Sequence, residues 1–213
     1  MDVSEIITEL DDHGFADTST ARKEAVINDT MWEIDSLYPW PYLEGVATPN
    51  LTASNALVTV GVTFRSILSF TIPSQDVVLQ PVRVETLEHS YPEDLTTYIG
   101  LPMYYYFIAG TLNVYPLPSS AYATRIRYLK LQSELTSASV ESAILLPPRH
   151  HRAIVLGALS KLYAMEDDPE LAVVFKRQYD ERTTRVVEDL WARQYDRPDM
   201  VYDVFGDDGW DYV

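Results

Sequence analysis

Cysteine is absent from the 213-residue sequence. This excludes disulfides, thiolate zinc sites and cysteine nucleophiles, and it agrees with a reducing compartment. Long apolar runs are also missing, because no stretch approaches the roughly 18 consecutive apolar residues of a membrane-spanning helix. The first residues, MDVSEIITELDD, carry acids where a secretory signal peptide has a basic region followed by an apolar one. We therefore expect a protein made in the cytoplasm, with no membrane partner.

Basic charge is scarce as well. The sequence has 16 Lys and Arg against 32 Asp and Glu, a formal net charge of −16. Such a field repels phosphates, and a sequence-reading DNA-binding protein needs a basic face. The basic residues are instead dispersed, at positions that include Arg125, Arg127, Lys130, Arg149, Arg152, Lys176, Arg177, Arg182 and Arg185. An acidic protein can still surround DNA if its task is to let the polymer slide without sticking.

Apolar content is ample, with 46% hydrophobic and 12% aromatic residues, which is typical of a folded chain. The order of patterns predicts an α+β fold. Helices from both termini pack together as a bundle or hairpin, and a β-rich module is inserted between them. We expect residues 1–42 and 133–195 to form the helical domain, residues 43–132 the β-rich module, and residues 196–213 an extended acidic and aromatic tail.

Helical spacing is clearest near the two ends of the chain. A helix over residues 3–10 ends before Gly14, and a second begins after residues 17–20 and stops at Pro39. One face of the second helix is predicted to carry Ile27, Met31, Ile34 and Tyr38. Two later helices, residues 148–165 and 170–192, form an antiparallel hairpin, in which Gly157 and Ala158 allow a neighbouring helix to approach closely. The inward residues of the last helix are predicted to be Leu171, Val174 or Phe175, Tyr179, Val186 and Leu190, with Arg182 and Arg185 outward.

The middle of the chain has short β-branched and aromatic runs separated by Pro, Gly, Asn and Ser, which is typical of strands. The predicted strands cover residues 57–60, 66–72, 77–85, 104–108, 111–115 and 122–131. Ala109 and Gly110 separate two of these runs and indicate a hairpin. Between residues 91 and 100 we expect a short helical turn or a loop.

Catalytic motifs are missing, including phosphate-binding glycine loops, a nucleophile elbow and a zinc-binding H-E-x-x-H. The adjacent His150 and His151 make a poor bidentate metal site, because neighbouring helical residues point about 100° apart. They are interpreted as partly exposed side chains at a helix start. Asp207-Asp208-Gly209 lacks the spacing of a calcium loop. The Tyr104-Tyr105-Tyr106 run is interpreted as part of a sheet with aromatic residues on both faces, rather than as a base-stacking platform. We therefore expect no catalytic residue, no cofactor and no metal.

The acidic and aromatic tail is the segment that a solvated terminus explains poorly. Residues 196–213 contain six Asp and one Arg but also keep large apolar side chains. Such side chains along an extended segment are typical of anchors that dock into a partner. The predicted partner-binding residues are Met200, Tyr202, Phe205, Trp210 and Tyr212. The alternative is that the tail folds back on its own domain.

Four segments between residues 20 and 192 match, in the same order, the sequence patterns of one known protein family. They are AVINDTMWEI followed by YPWPYL (residues 25–34 and 38–43), the hairpin GLPMYYY and GTLNVYPLP (100–106 and 110–118), the strand IRYLK with Leu135-Thr136 (126–130), and the pair LGALSKLY and DDPELA (156–163 and 167–172). Together they resemble the tailed-phage head–tail adaptor (connector) protein family. Residues 51–65 and the tail from residue 196 show no family pattern.

The resemblance implies a structural virion protein rather than an enzyme. Its subunits would form a ring, usually of twelve, between the portal and the tail or neck. The implied partners are the portal protein, neighbouring copies of the same chain, a tail or stopper protein, and genomic DNA that passes through the channel without sequence-specific binding. An electronegative channel suits that passage, because attractive phosphate contacts would impede ejection.

Other functions stay open on the sequence alone. Within the virion, the chain could be another neck, stopper or tail-completion ring protein. From a different class, it could be a small acidic module that binds a basic protein, with salt-sensitive affinity. An enzyme would need a pocket with perturbed acids, which a single sequence does not display.

Overall fold

The computed structural model describes residues 1–91, 95 and 97–195. The chain divides into two compact units. The first, named here the helical unit, combines Met1–Tyr42 with Gln132–Val213, and the second, the β unit, is Leu43–Leu131. The α+β class predicted from the sequence is confirmed, because helices from both ends of the chain pack together while strands fill the sequence between them.

Helices of the helical unit begin and end where local chemistry favours it. They are α1 (Val3–Leu10), α2 (Thr20–Leu37), α4 (Arg152–Met165) and α5 (Pro169–Tyr195), and α3 (Val84–Ser90) belongs to the β unit. Asp2 caps α1 by accepting the Glu5 amide at 2.8 Å, while the Glu5 carboxylate accepts the Asp2 amide at 2.9 Å. A π-helical turn, Asp11–Phe15, follows α1 and contains Gly14 at φ 102°, a backbone angle that glycine tolerates.

Helix α4 is the centre of the helical unit. Its buried residues lie on every side of the helix rather than along one stripe, as expected for a helix surrounded by others. It packs against α1, α2 and α5. Gly157 permits a close approach by α2 and α5, because a Cβ added there would lie 2.5 Å from Thr30 Cγ2 and 3.0 Å from the Tyr179 ring. The close approach predicted at Gly157 is thereby confirmed.

Aromatic side chains fix the end of α2. Trp40 is fully buried, its Nε1 donates to the Ile34 carbonyl oxygen at 2.7 Å, and its ring stacks on Tyr42 at 5.8 Å. Ile27, Met31 and Ile34 are buried as predicted, but the predicted fourth member of that stripe, Tyr38, is exposed. Tyr38 is the residue after α2 and has extended backbone angles, so helical spacing no longer sets its direction.

The β unit consists of short strands in small sheets. In chain order the strands are β1 (Glu44–Ala47), β2 (Asn50–Leu51), β3 (Phe64–Ile72), β4 (Val77–Val78), β5 (Gln80–Pro81), β6 (Ile99–Gly100), β7 (Tyr104–Ile108), β8 (Thr111–Tyr115), β9 (Leu117–Pro118), β10 (Tyr122–Ala123) and β11 (Arg125–Lys130). One sheet has the order β1-β11-β3-β4, another β5-β7-β8, and the pairs β10-β2 and β6-β9 complete the set.

The β7–β8 hairpin is confirmed with its turn at Ala109 and Gly110, both at positive φ. The tyrosine run is confirmed as part of a sheet with aromatic residues on both faces. Tyr105 belongs to the larger cluster of the β unit, with Phe70 and Ile126. Its neighbour Tyr106 packs with Leu87 of α3 and Tyr115. Alternation along β7 therefore sends consecutive aromatic rings into two separate clusters.

Several strand predictions are wrong. Residues 57–60 contribute only an isolated bridge between Leu57 and Asn113. The segment 77–85 holds two two-residue strands and then enters α3, because Val84 and Leu87 lie on the helix face that meets the tyrosine cluster. The short edge strands β1 and β2 went unpredicted. In α5, the predicted inward Leu171 is exposed, whereas Tyr179, Val186 and Leu190 are buried.

Candidate partner-binding surfaces

The adjacent histidines are buried, which corrects the prediction that they are partly exposed. His150 is 5% exposed and its Nε2 lies 3.0 Å from Asp189 Oδ2, to which Arg149 also pairs at 2.8 Å. Burial lowers the pKa of His150, the charge of Arg149 lowers it further, and Asp189 opposes both effects. His150 therefore joins the start of α4 to the end of α5.

His151 has no ring nitrogen left for a ligand. Its Nδ1 lies 3.0 Å from the Met1 carbonyl oxygen and its Nε2 lies 2.8 Å from the Leu146 carbonyl oxygen. Both contacts tie α4 to other segments of the helical unit. Among the described residues, no three His, Cys, Asp or Glu side chains are grouped so that they could hold a metal ion.

Buried tyrosines also have packing roles. The Tyr42 hydroxyl donates to Asp35 Oδ1 at 2.8 Å. Burial and then the Asp35 charge raise the pKa of Tyr42, so the phenol stays protonated and remains a donor. Burial and the nearby Glu33 raise the pKa of Tyr179 in the same direction. These groups stabilise contacts around α2 in their neutral forms.

The α4–α5 hairpin carries a groove rich in arginine. The groove has a volume of about 190 Å³. We name it the arginine groove, and its lining residues are Arg152, Leu156, Gln178, Glu181, Arg182 and Arg185. Arg152 also pairs with Glu9 of α1, and Arg182 donates from Nη2 to the Arg149 carbonyl oxygen at 3.0 Å.

A larger groove of about 670 Å³ continues along the same hairpin and shares Glu181 with the first. Its lining residues are Ser160, Ala172, Val173, Lys176, Arg177, Asp180, Glu181 and Thr184. Val173 is 68% exposed. The charges here are largely matched, with Lys176 paired to Asp180 at 3.1 Å and Arg177 paired to Glu181 at 3.2 Å. This groove therefore offers an apolar contact with little net charge.

The β unit has different exposed features. At the tip of the β7–β8 hairpin, Phe107 and Ile108 are both exposed, and the Phe107 ring lies 6.1 Å from Phe64. Strand β1 forms one edge of the four-stranded sheet and leaves Val46 exposed. Unpaired strand edges and apolar hairpin tips are places where another chain can pair or pack.

The partner-binding residues predicted from the sequence, Met200, Tyr202, Phe205, Trp210 and Tyr212, lie outside the described residues, so their role stays a prediction. The arginine groove was not predicted as a site. Arg182 and Arg185 were assigned only an outward direction, and Arg152 was recorded as one of several dispersed charges. The sequence does not mark these residues as neighbours, because only the packing of α4 on α5 brings Arg152 beside Arg182 and Arg185.

These features describe an α+β protein whose exposed grooves and apolar tips suit contacts with other proteins. The sequence matches the SU10 adaptor protein family over residues 1–201, and the chain belongs to that family. It is therefore a phage adaptor protein, a virion component that interacts with other head or tail proteins, and its family is structural rather than enzymatic. The resemblance to head–tail adaptors found in the sequence is confirmed.

No curated protein matches the sequence significantly. None of the helices within the described residues is both long and apolar enough to cross a membrane.

Proposed function

We propose that the chain forms an oligomeric ring between the portal and the tail or neck of a tailed phage, with twelve copies as the expected number. The observation that carries this proposal is membership of the adaptor family over residues 1–201. The ring lines a channel through which genomic DNA passes, and its subunits contact the portal on one side and a tail or stopper protein on the other.

The charge of the chain supports DNA passage rather than DNA binding. A net charge of −16 on each copy makes a ring of many copies strongly electronegative. Several of the basic groups are already paired within the fold, including Lys161 with Glu33 at 3.0 Å and Arg127 with Glu44 at 2.8 Å. A surface of this kind makes few attractive phosphate contacts, so DNA slides without being held.

The two units supply distinct surfaces for a ring. A head-to-tail ring needs two different patches on each subunit, one that donates and one that accepts. The α4–α5 hairpin offers its two grooves, and the β unit offers the β1 edge and the Phe107–Ile108 tip. These features support assembly through unlike surfaces, as a closed ring requires.

The tail supplies further contacts in this proposal. Met200, Tyr202, Phe205, Trp210 and Tyr212 anchor it on the portal or on an adjacent copy. Removal of residues 199–213 is expected to abolish co-purification with the portal. Unchanged co-purification would contradict this assignment.

The deciding experiment for the function is an image of the particle vertex at a resolution that places this subunit. We expect a ring directly against the portal, and the copy number is read from the same image. A ring farther from the portal would instead favour a stopper or tail-completion protein. Absence of the subunit from the vertex would overturn the proposal.

A further inference from the structure

The arginine groove is a local excess of positive charge on a strongly acidic protein. Three of its six lining side chains are arginines and one, Glu181, is an acid, while the whole chain carries −16. The Glu181 carboxylate is already engaged by Arg177 at 3.2 Å. The groove therefore retains a net positive charge.

Two of the guanidinium groups are available to an incoming anion. In the part of the chain that the structure describes, neither Arg182 nor Arg185 has a carboxylate within ion-pair distance. Arg185 is exposed, and Arg182 is half-buried, with its Nη2 donating to the Arg149 carbonyl oxygen at 3.0 Å. A carboxylate that reached these guanidinium groups would be bound by charge-assisted hydrogen bonds.

The groove also has apolar and neutral surface. Leu156 is buried in its floor and Gln178 is exposed at its side. Beyond the shared Glu181, the larger groove adds the exposed Val173. The combined surface therefore suits a segment that carries both carboxylates and large apolar side chains, rather than a simple anion.

One segment of the chain has this composition. Residues 196–213 contain six Asp, one Arg, and a series of apolar and aromatic side chains. Arginine and carboxylate groups pair in a planar, two-bond geometry that lysine does not provide. The acidic segment and the arginine groove are thus complementary in charge and in apolar content.

We propose that the arginine groove of one copy binds residues 196–213 of a neighbouring copy. This rests on the proposed ring and names one of its subunit contacts. The segment follows directly in the sequence after α5, which continues ten residues past Arg185 to Tyr195, about 15 Å of helix. Each copy can therefore donate its segment to one neighbour and accept a segment from the other, which is the arrangement that a head-to-tail ring needs.

Disulfide trapping tests the contact in the full-length chain, which has no cysteine of its own. Chains carrying Gln178→Cys in the groove are mixed with chains carrying Gly209→Cys in the segment and oxidised. The matched control replaces Gln178→Cys by Gln75→Cys, an exposed glutamine of the β unit. We expect about tenfold more covalent heterodimer with Gln178→Cys than with Gln75→Cys, because docking raises the local concentration of the two thiols.

Charge reversal tests the chemistry of the contact. Arg185→Glu in the groove chain should reduce the heterodimer roughly tenfold and make the remainder insensitive to salt. Arg22→Glu is the control, since Arg22 is an exposed arginine of the same unit and the change in net charge is identical. Equal trapping by the Arg185→Glu and Arg22→Glu chains would overturn the proposal.

Two further outcomes would also overturn it. The first is trapping no better than with Gln75→Cys. The second concerns a chain that carries both Gln178→Cys and Gly209→Cys. If it forms only an intramolecular disulfide, the groove binds the segment of its own chain and not that of a neighbour. The test is separate from that of the proposed function. If the subunit forms a ring at the vertex but no heterodimer is trapped, the contact is refuted and the proposed function stands. If the heterodimer is trapped but no ring is found at the vertex, the proposed function is refuted and the contact stands.

Discussion

Each unit contains a glycine, Gly157 in the helical unit and Gly45 in the β unit, that leaves no room for an added Cβ. The atoms that such a Cβ would meet differ between the two sites. At Gly157 the nearest atom is the Thr30 methyl, 2.5 Å from the position of an added Cβ. Thr30 cannot rotate freely, because its hydroxyl donates to the Val26 carbonyl oxygen at 2.8 Å. At Gly45 the nearest atoms are the far end of the Tyr128 ring, 2.7 Å away.

The two sites differ in how readily their neighbours can move to accommodate added side-chain volume. In the helical unit, the tight contact is made between helices whose backbones are held on several sides by other segments. In the β unit, Gly45 lies on the edge strand β1 opposite Tyr128 of β11, and a ring at the end of a side chain can tilt. We therefore expect the helical unit to be the more sensitive of the two to added volume.

The largest effect should come from emptying the helical core at Trp40. Trp40→Ala removes a fully buried ring together with its hydrogen bond to Ile34. The expected loss of unfolding free energy is about 3–5 kcal/mol, measured by denaturant titration. Trp32→Ala is the matched control, because Trp32 is 44% exposed on α2 in the same unit. Comparable losses for the two variants would contradict the full burial of Trp40.

Added volume at Gly157 should have the next largest effect. Alanine gains about 1 kcal/mol of helix propensity over glycine, but overpacking costs about 1–3 kcal/mol when neighbours cannot move. Because Thr30 and the buried Tyr179 ring both confine the site, we expect Gly157→Ala to be net destabilising in thermal and denaturant unfolding.

A second variant separates this cause from a general loss of helix packing. Thr30→Ser removes the methyl that an added Cβ would meet and retains the hydroxyl that bonds to Val26. The double variant Gly157→Ala with Thr30→Ser should therefore be more stable than the sum of the two single changes predicts. Simple additivity would show that Thr30 is not the residue that confines Gly157.

A smaller effect is expected from the equivalent change in the β unit. The atoms nearest to the Cβ of Gly45→Ala belong to the Tyr128 ring, and alanine restricts the unfolded chain more than glycine does. The two contributions oppose each other, so the change in unfolding free energy should fall within about 1 kcal/mol of zero. Hydrogen exchange of the β1 and β11 amides measures it locally. A loss as large as that of Gly157→Ala would remove the proposed difference between the units.

The helical unit and the β unit also differ in how much of their structure could be predicted from the sequence. Local signals predicted the helix ends of the helical unit, because Ser19, Pro39 and Pro169 lie at or next to the ends of α2 and α5 in the structure. In the β unit, Gly110 marked the hairpin correctly. By contrast, the strand predicted over residues 77–85 runs two residues into α3, because packing of Leu87 on Tyr106 and Tyr115 selects a helix there.

The candidate sites were less accessible to sequence analysis for a physical reason. The arginine groove brings Arg152 beside Arg185, 33 positions later, and only the packing of α4 on α5 makes them neighbours. Single arginines in a charged sequence carry no such information. The tail anchors, Met200 to Tyr212, were chosen by composition and remain a prediction, since they lie outside the described residues.

The smallest expected effect is a pH dependence confined to the helical unit. Burial and Arg149 lower the pKa of His150 in the folded protein, with Arg182 acting in the same direction and Asp189 opposing them. Because the unfolded chain then binds the proton more tightly, this contribution to stability is present above about pH 6.5 and is lost as the pH falls. His150→Gln should therefore flatten the decline in melting temperature between neutral and mildly acidic pH. Arg149→Gln, which removes one lowering influence, should give an intermediate slope, and a slope unchanged by His150→Gln would show that other groups govern acid stability.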